Sequence, residues 1–375
     1  MVHINSLPYV TNTYFSRVKK RLCCFLILLC TLPSKAQEVA PIFQFSAGPA
    51  AGFLMPHHND MHYLIDGHIR GIDLNIMRHT LGNRDWHHWY NFPTWGVNIT
   101  ALNLASPHLG YGVSAIFNAD FALDKTRKLF LKAGIGPGFI EKPFDQDDNF
   151  QNSAIGSQLN AALAMELHTE IPLSSRLSLK PGIAIHHFSN GAFKIPNSGI
   201  NVALLKLVVA YNSAPLPERI RENRAFTSTK GELHIGTSAG LKEILPIGGT
   251  KYPVVNLFAI WQKRFTPKSG FGIEAGVNYN SSLQYREKEG GGGASNLGSD
   301  NYRAYLALSH TLHFDPVAFR IQAGSYVAPA FKDDGVIFFR YHLIYQWTKF
   351  QVFTGLKSHF AKADSIELGL TYRIL

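Results

Sequence analysis

From about residue 41 onward the chain reads as segments of roughly ten residues in which apolar and polar positions alternate, each closed by Gly, Pro, Asn or Asp. Alternation with a period of two puts successive side chains on opposite faces of a strand. In Lys128-Leu129-Phe130-Leu131-Lys132-Ala133-Gly134-Ile135, the residues Leu129, Leu131 and Ile135 share one face and both lysines the other. In Val317-Ala318-Phe319-Arg320-Ile321-Gln322-Ala323, Arg320 and Gln322 lie opposite Val317, Phe319 and Ile321. Such segments near 41–54, 67–79, 94–104, 109–121, 127–140, 156–171, 176–189 and 200–211 form one set. A second set lies near 231–244, 252–265, 270–285, 302–313, 316–328, 335–347, 349–360 and 365–375. The expected fold class is all-β, a transmembrane antiparallel β-barrel of outer-membrane type with about sixteen strands in total, or an eight-stranded barrel plus a second β region. A soluble sandwich turned apolar side inward gives the same alternation.

The first residues set the compartment, and together with the absence of cysteines from the mature chain and the aromatic strand ends they favour the outer membrane over a soluble sandwich. Arg17, Lys19, Lys20 and Arg21 precede the apolar run Leu22–Cys30, and Ser34-Lys35-Ala36 follows as a small-residue cleavage pattern. That is a secretory signal, expected to be cut after Ala36. The expected organisation is a signal at 1–36, a first barrel region at 37–212, a linker or loop at 213–230 and a second barrel region at 231–375. All three cysteines fall inside the signal, which excludes disulfide and thiolate chemistry from the mature chain. The signal also takes five of the 36 Lys and Arg and none of the 26 Asp and Glu, leaving an excess of five positive charges. That modest excess speaks against nucleic acid and is compatible with anionic lipid headgroups. Aromatics at 12% and 32 glycines suit strands and tight turns. At the C-terminus Ile366, Leu368, Leu370, Tyr372 and Ile374 alternate with polar residues. This resembles the closing strand that outer-membrane barrels present to the barrel-assembly machinery, although Leu375 stands where an aromatic residue is usual.

The chemistry concentrates in His187-Phe188-Ser189-Asn190-Gly191, continued through Pro196-Asn197-Ser198-Gly199-Ile200-Asn201. In the incoming strand Leu177, Leu179, Ile183 and Ile185 define an apolar face that His187 and Ser189 extend. In the outgoing strand Lys206 marks the even face, which puts Asn201 with Leu205 and Leu207. Paired as a hairpin, the two strands bring a hydroxyl, an imidazole and an amide to the edge of an apolar band, where a lipid ester could meet a nucleophile, a base and its orienter. Gly191 and Gly199 let backbone amides approach a developing oxyanion.

His187-x-Ser189-Asn190 followed by Pro196-Asn197-x-Gly199-Ile200 resembles the lipid A deacylases of the PagL type, outer-membrane barrels also labelled acyloxyacyl hydrolases in distant members. The resemblance is confined to roughly 42–212. It implies a serine esterase of the cell outer membrane that removes an ester-linked acyl chain from lipid A or a related lipid, with no metal or cofactor. It further implies Ser189 as nucleophile and His187 as general base, with Asn190, Gly191 and Asn197 as candidates for the oxyanion site. The family's acidic orienter falls on Asn201, an amide that can hold an imidazole but not neutralise its charge. The alternative is a catalytically silent barrel, structural or a small-solute pore; a secreted glycan-binding sandwich is a third class.

Other candidates read as structural. Gly236-Thr237-Ser238-Ala239-Gly240 has the spacing of a nucleophile elbow but no helix after it. His57, His58, His62, His68, His79, His87 and His88 lie among Trp86, Trp89 and Tyr90, as expected where a barrel crosses the headgroup layer. His359 with Asp364 and Glu367 lacks a serine at the right offset, and Glu287–Asn296 reads as a flexible loop. Two echoes hint at duplication: Ser46-Ala47-Gly48 against Ser238-Ala239-Gly240, and Gly182-Ile183 with His187 against Gly355-Leu356 with His359.

Overall fold

The computed structural model describes residues 40–228, 230–283, 301–328, 335–360 and 362–375. The expected signal and the loop at 287–296 lie outside the described residues. The first set of strands is β1 (Phe43–Leu54), β2 (Ile69–His79), β3 (Thr94–Asn103), β4 (Tyr111–Ala122), β5 (Leu129–Ile140), β6 (Leu159–Thr169), the two-residue β7 (Ile171–Pro172), β8 (Leu177–Ser189) and β9 (Ile200–Asn212). The second is β10 (Glu232–Glu243), β11 (Lys251–Arg264), β12 (Ser269–Asn280), β13 (Tyr302–His313), β14 (Val317–Ala328), β15 (Ile337–Trp347), β16 (Phe350–His359) and β17 (Lys362–Arg373).

Each set closes on itself. In the first, antiparallel neighbours run in chain order from β1 to β6, β8 pairs with both β6 and β9, and β9 returns to β1. In the second, β10 pairs with both β11 and β17. Two closed eight-stranded barrels therefore stand where the sequence allowed either one sixteen-stranded barrel or an eight-stranded barrel and a further β region. Closure leaves no unpaired strand edge, a requirement for spanning hydrocarbon.

The barrels are polar inside and apolar outside. Ile72, Leu74, Ile76, Val97, Ile99, Ile183, Ile185, Leu205 and Leu207 are exposed on the first barrel's outer wall. Inside, Lys206 Nζ lies 2.5 Å from Asp73 Oδ2 and 2.9 Å from Glu166 Oε2, and Lys132 Nζ lies 2.9 Å from Glu166 Oε2. At the end that carries the 190–199 loop, the lumen is stopped by an apolar cluster including Leu54, Met61, Leu64, Ile69, Leu102, Ile155, Phe188 and Ile200. The second lumen is filled by the fully buried Arg303, Arg320 and Arg340. Arg340 donates to Glu274 at 3.0 Å and to Asn256 Oδ1 at 2.8 Å. An eight-stranded barrel is just wide enough for its interior to be filled by side chains. The second is filled, while the first is stopped at the 190–199 end and keeps a cavity of about 240 Å³ at the other, lined by His79, Asp120, Glu170, Lys180 and Arg219. An ionic interior with an apolar exterior inverts the soluble pattern and suits a bilayer.

Both echoes of duplication fall on corresponding strands: β1 with β10, and β8 with β16, the seventh strand of each barrel. One residue separates their consequences. Gly182 and Gly355 both face the lumen, against His168 and His342 respectively. His187 follows five residues after the first and so turns outward, whereas His359 follows four after the second and turns inward, 6% exposed, against Tyr326. A one-residue offset flips a strand side chain to the other face, so the second barrel carries no outward counterpart of His187 at this strand.

Candidate active site

Register builds the site. His187 and Asn201 are directly opposed in the β8–β9 ladder, and Ser189 ends β8 opposite Ala161. Phe188 between them is fully buried in the apolar stopper and fixes the strand's end. His187 and Asn201 therefore sit together on the outer wall, and Asn201 Oδ1 accepts from His187 Nδ1 at 2.6 Å.

A residue the sequence reading assigned to the headgroup layer completes the arrangement. His57 Nε2 lies 2.7 Å from Ser198 O, and His57 Nδ1 lies 3.0 Å from Asn201 Nδ2. A carbonyl only accepts, so Nε2 of His57 carries the proton and Nδ1 of the neutral ring accepts from the Asn201 amide. The amide orientation then follows: Nδ2 toward His57, Oδ1 toward His187. His187 in turn carries its proton on Nδ1, which leaves Nε2 with a free lone pair, the form a general base needs. The signal for His57 was available in the topology. In a closed barrel the first strand pairs with the last; Leu54 opposes Val202 and Met55 N–H donates to Asn201 O at 2.8 Å, so the residues just past β1 lie beside Asn201.

Ser189 is 8% exposed. Its hydroxyl engages Asn197 instead of His187. Asn190 N–H donates to Asn197 Oδ1 at 2.9 Å, which leaves Asn197 Nδ2, 3.1 Å from Ser189 Oγ, as the donor toward the serine. Gly191 N–H also points at Ser189 Oγ, at 3.3 Å. Two donors, one amide side chain and one backbone N–H, thus converge on the serine oxygen. Asn190 contributes differently from the expectation. Its side chain is spent within the loop, donating to Ser157 Oγ and to Lys194 O at 2.7 Å each, so only its backbone borders the serine. Gly199, at φ +85°, lies against the His187 ring, where a Cβ would come within 2.8 Å of Cε1.

Two family models match the chain. One, described as lipid A 3-O-deacylase (PagL), covers residues 70–212; the other, described as the acyloxyacyl hydrolase C-terminal domain, covers 231–375. The chain belongs to the PagL-type lipid A deacylase and acyloxyacyl hydrolase family. The two matches correspond to the two barrels, and the PagL match contains the whole 187–201 stretch. No curated protein matches the chain. Among solved structures, a KdgM porin in complex with disordered oligogalacturonate is similar at 6% identity and TM-score 0.18, over 88% of this chain and 98% of the porin. A mutant Rhodopseudomonas blastica porin is similar at 10% identity and TM-score 0.17, over 89% of this chain and 99% of its own. Scores this low add nothing to the barrels read from strand pairing.

The remaining candidates resolve within this PagL-type frame. Ser238 of the elbow-like pentapeptide lies mid-strand in β10, its hydroxyl buried against Asn256 and Glu367. His79 is buried in the first lumen beside Asn212, at 2.8 Å, and Arg219 of the linker reaches its other nitrogen at 3.0 Å. His186 is buried on the lumen side, away from His187. His359 bonds Ile337 O through Nδ1 at 3.0 Å.

Proposed function

We propose that the protein is an outer-membrane serine esterase that removes an ester-linked acyl chain from lipid A or a related membrane lipid. Ser189 Oγ attacks the acyl carbonyl, and His187 Nε2 takes the hydroxyl proton as the new C–O bond forms. The oxyanion is stabilised by Gly191 N–H and Asn197 Nδ2. Collapse of the tetrahedral intermediate expels the sugar alkoxide, which takes the proton from His187. Water, activated by the same imidazole, then releases the acyl chain from Ser189 as a fatty acid.

The observation that carries this reading is the 2.6 Å bond between His187 and Asn201 on the outer wall, backed by His57, because it selects the basic tautomer. His187 and Ser189 are two apart on one strand, about 7 Å at Cα, so rotation of the serine hydroxyl away from Asn197 brings it within reach of the imidazole. The outer wall suits the substrate: the acyl chain stays in the bilayer while its ester reaches the serine, so little apolar surface has to be moved into water.

The competing reading, a silent barrel that retains the motif, draws on the Ser189–Asn197 contact. A long-chain fluorophosphonate incubated with the folded protein in detergent separates the two. Covalent labelling mapped to Ser189, lost in His187→Ala, supports the esterase; no labelling of Ser189 in the folded wild type contradicts it.

A further inference from the structure

The segment that follows Ser189 is held by the second barrel. Ala192 O accepts from Glu243 N–H of β10 at 2.8 Å. Gly191 lies against Ile366 of β17 so closely that a Cβ there would come within 2.4 Å of Ile366 Cγ1 and 3.2 Å of its backbone nitrogen. Lys251 Nζ of β11 lies over the Phe193 ring, 5.0 Å from its centroid, while also pairing with Glu243. Three consecutive residues thus have their partners on three strands of the other barrel. Their backbone also requires holding: Gly191 and Ala192 both have φ +62°, and the left-handed region is one that alanine leaves unless contacts keep it there.

We infer that the second barrel is a working part of the deacylase site, positioning residues 191–193 so that Gly191 N–H is aimed at the reacting centre. This rests on the reading of Ser189 as the nucleophile. The geometry supplies the coupling. Residues 191–193 leave β8 immediately after Ser189, with few anchors of their own: the turn bond from Phe193 N–H to Asn190 O, at 3.2 Å, and the bond from Gly191 N–H to Ser189. An oxyanion donor works by being fixed before charge develops, so a support that holds its peptide plane acts on the transition state and not on substrate binding. Ile366, Glu243 and Lys251 are therefore positioning residues, and the second barrel, whose own lumen is filled, has a role that needs no passage through it.

The test uses the full chain in detergent with purified lipid A, following kcat and KM for Ile366→Ala, Lys251→Met and, on the same outer face but 66% exposed, Leu368→Ala as control. Removing an oxyanion donor outright costs roughly a hundred- to a thousandfold, so loosening its support is expected to lower kcat roughly tenfold in Ile366→Ala. KM should be unchanged, with rescue by Ile366→Val and wild-type rates in Leu368→Ala. Lys251→Met is expected to lower kcat in the same direction by a smaller factor. Wild-type kcat in both Ile366→Ala and Lys251→Met overturns the inference, as does an equal loss in Leu368→Ala. Absence of turnover in the wild type itself overturns instead the deacylase reading on which the inference stands.

Discussion

Replacing Asn201 by Asp tests the amide that holds the imidazole of the proposed base. The substitution keeps the side-chain length and places one carboxylate oxygen where Asn201 Oδ1 now lies, 2.6 Å from His187 Nδ1. What changes is charge. When His187 takes the serine proton, its positive charge is centred about 4 Å from the new carboxylate, and two unit charges at that separation attract by about 4 kcal/mol at an effective dielectric of 20. The site lies on the outer wall beside an exposed His57, so solvent screening removes roughly half of that. About 2 kcal/mol remains, which corresponds to a rise of roughly thirtyfold in the chemical step. Part of it is offset because Asp no longer donates to His57 Nδ1. Asn201→Leu removes the bond to His187 and, at about 1 kcal/mol for that one net hydrogen bond, should slow the reaction about fivefold. Single-turnover deacylation of lipid A, quantified by mass spectrometry, reads both. A rate in Asn201→Asp equal to or below wild type, with the barrels still folded, would refute the placement of Asn201 against the transition-state imidazolium.

The remaining predictions concern the site's geometry and the two interiors. Gly199→Ala puts a methyl within 2.8 Å of His187 Cε1 at a φ of +85°, and is expected to cost about 1–2 kcal/mol in stability and roughly a hundredfold in kcat; near-wild-type turnover would show that the ring need not sit where Gly199 holds it. Lys206→Met leaves Asp73 buried without its cation, and a loss of about 3–5 kcal/mol is expected in urea unfolding of the first barrel from detergent or bilayer; an unchanged midpoint would contradict the ionic lumen as a stability element. With the first lumen stopped by its apolar cluster and the second filled, planar-bilayer recordings should show no steady conductance, and an ohmic pore would contradict the stopper or the packing around Arg340.

Much of the fold was legible because a membrane barrel's outer wall must be apolar at every second residue. The observed strands begin and end within a few residues of the alternating segments, from Phe43–Leu54 to Lys362–Arg373. Whether the strands close as one barrel or two was not legible, since closure depends on which strand edges meet, and Asn212 at the end of β9 carries no mark of its pairing with Gln44. Parity alone put His187 and Asn201 on one face, and the β8–β9 register makes them direct partners. The role of His57 was not legible, because it belongs to a loop brought to Asn201 by closure between β1 and β9. Nor was the division of labour among Asn190, Gly191 and Asn197: which amide faces the serine is set by the turn after β8, where Asn190 spends its side chain on Ser157 and Lys194. The hold of Ile366 on Gly191 joins residues 175 positions apart, a contact that alternation does not encode.

The most direct test of the central claim is the lipid A composition of cells expressing the wild type beside Ser189→Ala, read by mass spectrometry with both proteins shown folded in the outer membrane by heat-modifiable migration. The account predicts lipid A short of one ester-linked acyl chain with the wild type and intact lipid A with Ser189→Ala. Identical, fully acylated lipid A in both would contradict it.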